Sequence, residues 1–99
     1  AGAGGVAILM YPDRQQSTAA YDNLLQGMGE DESEVVAGIG ERAQLYVFYQ
    51  AGVSFRFVDL LFERCGAVVH IRLGETFNKE PVVSYARKLD ERLSDAVCP

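Results

Sequence analysis

The chain has 99 residues, 48% hydrophobic and 23% charged, the balance of one globular domain (1–99) with a core rather than of a disordered segment. Nine Lys and Arg against fourteen Asp and Glu leave a net charge of -5, which sets aside general binding to nucleic-acid backbones, a mode that needs clustered positive charge. No run reaches the roughly 20 apolar residues that cross a bilayer. Residues 1–5 read as a flexible glycine-rich stub without signal-peptide character, and the missing initiator Met makes a mature or excised piece the expectation.

Residues 6–11, Val-Ala-Ile-Leu-Met-Tyr, form a short apolar run stopped by Pro12, which predicts a buried strand. Asp13 with Gln16 three residues later resembles a capping box. Ala20, Tyr21, Leu24, Leu25 and Met28 then recur on one helical face, so a helix is expected over 13–26, ended by Gly27 or Gly29. Met10 and Met28 are expected as core filler. Residues 29–34 carry four carboxylates in six positions and read as a solvated acidic loop, because the alternating ligands and central glycine of a calcium loop are missing.

A short strand is expected over 35–39 and an aromatic one over 44–50. Between them Gly38-Ile-Gly40-Glu-Arg-Ala43 matches G-x-G-x-x-A. A dinucleotide fingerprint must open a helix, whereas strand-like residues follow Ala43 at once, so the string reads as a glycine-rich corner and no cofactor is expected. Tyr46, Phe48 and Tyr49 alternate along the aromatic strand. Whichever of them a helix leaves uncovered becomes a candidate partner contact, since aromatic anchors dominate interface energetics.

Residues 54–73 carry the strongest signal, a β-hairpin turning at Cys65-Gly66. That turn pairs Arg64 with Ala67 and, counting outward, Asp59 with Arg72 and Val58 with Leu73. Val58, Leu60, Phe62, Val69, Ile71 and Leu73 then share a core face, while Asp59, Glu63, His70 and Arg72 share a wet one. Phe55 and Phe57 have the opposite parity to Val58, which calls for a β-bulge near 57–58 or a covered second face, the bulge being preferred. Residues 74–78 are loop, with Asn78 or a neighbour as cap. A second helix then buries Val82, Tyr85, Ala86, Leu89 and Leu93, with Pro81 in its first turn and Arg87, Lys88, Asp90, Glu91 and Arg92 solvated. Residues 94–99 form a tail.

The hairpin arm 67–73 carries the chain about 23 Å from Cys65 at 3.3 Å per residue. A helix over about 80–95 returns it by about 24 Å at 1.5 Å per residue. Cys98 is thereby brought back to Cys65, and a disulfide between them is expected, with an oxidising compartment as its consequence. His70 is the sole histidine, so any imidazole chemistry must use it, with Asp59 or Arg72 beside it. The thiol of Cys65 stands too far along the hairpin for a nucleophile–base pair.

The order of elements, with the Val-Val-Ala-Gly-Ile-Gly-Glu-Arg-Ala stretch at 35–43 and the Asp-Leu-Leu-Phe-Glu-Arg-Cys-Gly-Ala-Val-Val-His-Ile-Arg hairpin at 59–72, resembles small bacterial extracytoplasmic sensor and lipoprotein domains of Mog1/PsbP-like shape. Cys65-Gly66 stands where that hairpin carries Gly-Asn, and no lipobox cysteine lies near Ala1. The resemblance implies binding or sensing and transfers no catalytic residue. The expectation is an α+β domain, an antiparallel sheet of four to five strands against two helices. Its expected work is that of a non-catalytic extracytoplasmic interaction module, an accessory subunit or ectodomain of a membrane-associated assembly with a protein partner. Tyr46, Phe48, Tyr49, His70 and Arg72 are its candidate contacts. The alternative is a small ligand-binding protein or enzyme using His70 with Asp59 or Arg72.

Overall fold

The computed structural model describes residues 4–27, 32–49, 56–74 and 79–98. In chain order they form β1 (Gly4–Met10), α1 (Arg14–Gly27), β2 (Glu32–Val35), β3 (Arg42–Tyr49), β4 (Arg56–Arg64), β5 (Ala67–Gly74) and α2 (Glu80–Val97). The fold is α+β, with five antiparallel strands in the order β1-β5-β4-β3-β2 and one helix on each face of the sheet.

The β4–β5 hairpin has the expected register, from Arg64 opposite Ala67 to Val58 opposite Leu73. Cys65 and Gly66 have φ of 47° and 86°, both positive as a type I′ turn requires, and that turn's twist matches the strands it joins. The Gly66 carbonyl accepts the Tyr11 N–H at 2.9 Å, so the turn also anchors the end of β1.

Val58, Leu60, Phe62, Val69 and Ile71 lie under Val82, Ala86 and Leu93 of α2, together with Leu45 and Val47 of β3. Each large side chain so buried contributes about 1.5–3 kcal/mol. The opposite face is not wet, as the alternation of charged residues implied. There α1 seats Tyr21 against Tyr46, Leu61 and Val68, and the Tyr21 hydroxyl donates to the Leu61 carbonyl at 3.2 Å. Asp59 and Glu63 on this face are also buried, each beside a basic partner. The covered second face also removes the need for a bulge. The β3–β4 pairing runs unbroken from Arg42 opposite Glu63 to Tyr49 opposite Arg56, and Phe57 is half-buried with the Arg72 guanidinium 5.4 Å from its ring centre.

Asp13 does cap α1, its side chain accepting the Gln16 N–H at 2.8 Å. Other boundaries move. β2 lies inside the acidic stretch rather than after it, because the chain turns at residues 37–41 with Gly38 and Gly40 at φ of 83° and 60°. That corner leads into β3 and not into a helix. At the end of the chain α2 runs past Asp95 to Val97, where the Cys98 N–H donates to the Ser94 carbonyl, so part of the expected tail is helical. Lys79 is the N-cap of α2 without a side-chain cap bond, and Pro81 stands in the first turn. Asn78, Met28 and the start of the hairpin arm at 53–55 lie outside the described residues. Among the described residues no helix is long and apolar enough to cross a membrane.

Candidate functional site: a buried carboxylate and an open strand edge

Asp59 stands mid-strand on β4, directly opposite Arg72 and two pairs along, on the same face, from His70 on β5. Its side chain is fully buried. Arg72 donates through Nε and a terminal nitrogen to both carboxylate oxygens at 2.8 Å, and His70 Nε2 lies 3.1 Å from Oδ2. Burial pushes the Asp59 carboxyl up, but the bonds from His70 and Arg72 outweigh it and hold the group below the usual carboxylate range. The side chains of His70 and Arg72 are 29% and 49% exposed, so the cluster reaches solvent on their side. A carboxylate that fixes an imidazole is half of a general-base arrangement. Among the described residues no Ser, Thr or Cys side chain hydrogen-bonds His70 to complete it.

The other candidate contacts do not gather there. Tyr46 faces Asp59 across β3 and β4 but is 5% exposed under Tyr21, so it is core and not a docking residue. The helix that covers it is α1, whose apolar stripe had no assigned face in the sequence. Phe48 and Tyr49 pair with Phe57 and Arg56 on β4, and their side chains lie outside the described residues.

Two further buried carboxylates were not expected. Asp90 of α2 accepts bonds from Arg64 at 2.7 and 2.8 Å and from the Gly40 N–H at 2.9 Å. Arg64 first, and the Gly40 N–H with it, hold its pKa low against burial. Glu63 meets Arg42 at 3.0 Å. Arg42 also reaches Asp22 at 2.8 Å and lies 4.2 Å over the Tyr21 ring. A sequence signal existed for Asp90, which follows Ala86 by four residues on the helical stripe that holds Val82 and Leu93. Its charge masked it.

Cys65 and Cys98 are bridged, their Cα atoms 5.3 Å apart, which joins the hairpin tip to the end of α2 as the strand and helix lengths require. The Cys65 N–H is held by Glu41 at 3.0 Å. Among the described residues no three His, Cys, Asp or Glu side chains converge where they could hold a metal ion.

The other unusual surface is β1. It is an edge strand, yet Val6, Ile8, Leu9 and Met10 are 43% to 56% exposed. Met10 is thus not the core filler expected, because β1 lies beyond the residues that α2 covers. Val6, Ile8 and Met10 pair with Ile71, Val69 and Ala67 and so lie on the α2 side, while Leu9 pairs with Val68 on the α1 side. The strand carries no charge, none of the devices that usually blunt a sheet edge. Comparison with protein-family models, curated proteins and solved structures returns no match for this chain.

Proposed function

We propose that the domain is a non-catalytic interaction module working outside the cytoplasm, an accessory subunit or ectodomain of a membrane-associated assembly. The observation that carries this reading is β1, an uncharged strand with four half-exposed large hydrophobic residues at an open sheet edge. Water-exposed apolar side chains beside unpaired backbone groups are what a protein partner covers by adding a strand. The disulfide supports an oxidising compartment, and the resemblance to Mog1/PsbP-like extracytoplasmic domains points the same way. The test is a native pull-down from envelope extracts with the oxidised domain, run beside assays on a panel of small substrates. A specific partner recovered with the wild type supports the reading. Turnover of a substrate with no partner recovered contradicts it.

A second reading has one observation of its own, the Asp59 carboxylate fixing a part-exposed His70 beside Arg72. Under it these residues bind a small ligand or act on it. His70→Ala would then abolish ligand binding in a domain that still folds, and unchanged binding removes the idea.

A further inference from the structure

We infer that β1 pairs with β1 of a second copy of this chain, antiparallel across a twofold axis at Ile8, so that two sheets join into one. The inference rests on the interaction reading of β1 and names the partner. In an antiparallel ladder, residues alternate between pointing both backbone groups at one neighbour and at the other. The Tyr11 N–H goes to Gly66 on the β5 side, so in register with it Leu9, Ala7 and Gly5 face β5. Met10, Ile8 and Val6 then aim their N–H and C=O groups at the open edge. Pairing about Ile8 sets Ile8 against Ile8 and Val6 against Met10, three residue pairs that each exchange two backbone hydrogen bonds.

Charge selects this edge over the other. Each copy carries -5, so association needs a contact where identical residues meet without like charge, because a twofold interface sets the same patch against itself. β1, Gly-Gly-Val-Ala-Ile-Leu-Met, meets that condition. β2, Glu-Ser-Glu-Val, paired in the same way about Ser33, would set Glu32 against the second copy's Glu34. Shape agrees as well. Beside Val6, between β1 and the start of α2, lies a cavity of 220 Å³ lined by Ile71, Leu73, Pro81 and Tyr85 among others. The proposed register places the second copy's Met10 next to Val6, where a flexible unbranched side chain can fill that irregular space.

Sedimentation equilibrium across a concentration series tests the pairing. The wild type is expected to be a dimer, and Val35→Lys, on the other edge, to remain one. Ile8→Lys sets two ammonium groups opposite each other and should raise the dissociation constant about a hundredfold or more. Ile8→Pro removes one outward N–H, a change edge strands tolerate, and should give a monomer whose thermal melt shows a retained fold. A wild type that stays monomeric into the millimolar range overturns the inference, and so does a dimer that survives both Ile8 variants. If such a monomer still recovers a partner from envelope extracts and Ile8→Lys does not, self-pairing alone has failed. If it recovers none, the interaction reading fails with it.

Discussion

Asp59, Glu63 and Asp90 are at most 5% exposed, and each is held by an arginine from the sheet, Arg72, Arg42 and Arg64. Removing one partner of a buried pair leaves a desolvated charge, a cost of several kcal/mol. Because Arg72 is half-exposed and His70 stays behind as a second partner, Arg72→Ala should cost about 2 kcal/mol in urea unfolding. An unchanged midpoint would mean that Asp59 is neutral in the native domain. The folded pKa values of Asp59 and Asp90 lie below the usual carboxylate range, so near pH 4 the native state binds fewer protons than the unfolded chain. Their contribution is therefore complete above the unfolded value of about 3.9 and is lost as pH falls through the folded values. Urea midpoints should drop on acidification below about pH 4, and more gently in Asp90→Asn. Equal slopes for variant and wild type would contradict the Asp90 assignment. The Asp59–Arg72 pair was legible because hairpin register sets opposite charges face to face. The Asp90–Arg64 pair joins elements 26 residues apart, and no local pattern encodes it.

At the scale of elements, the two corner glycines do different work. Gly38 has φ of 83° with nothing within 4 Å of an added Cβ, whereas a Cβ on Gly40, at φ 60°, would run into the Glu63 carbonyl. Gly38→Ala should therefore cost only the left-handed backbone, about 1–2 kcal/mol. Gly40→Ala should cost clearly more, since it also shifts β4 and the Gly40 N–H bond to Asp90, and equal losses in parallel denaturant titrations would contradict this. The α2-facing side of the hairpin and most of α2 were readable because period-2 and period-3.6 patterns there match the buried residues, except that Tyr85, expected to be buried, is 48% exposed. The second core was not, since Leu61 and Val68 are interleaved with Asp59, Glu63, His70 and Arg72, and only contact with α1 reveals that side as interior. The exposure of β1 was hidden for a related reason. An apolar run reads as buried, and sequence does not say that its strand stands at the end of the sheet order.

For the whole molecule, the Cys65–Cys98 bridge closes a loop of sequence separation 33 and should stabilise by about 4 kcal/mol in the chain-entropy model. Replacing both cysteines by serine should lower unfolding free energy by about that amount, and denaturing alkylation of native protein should label no thiol before reduction. Two thiols labelled at once would remove both the tether and the argument for an oxidising compartment. In the proposed function the working surface is the edge of β1, and the Asp59, His70 and Arg72 cluster holds the second face together. The most direct test sets Ile8→Lys beside His70→Ala, both folded by circular dichroism, and measures association with the second copy or the recovered partner. Under the proposed function, association is lost in Ile8→Lys and kept in His70→Ala. Association kept in Ile8→Lys and lost in His70→Ala would contradict it and move the function to the buried carboxylate.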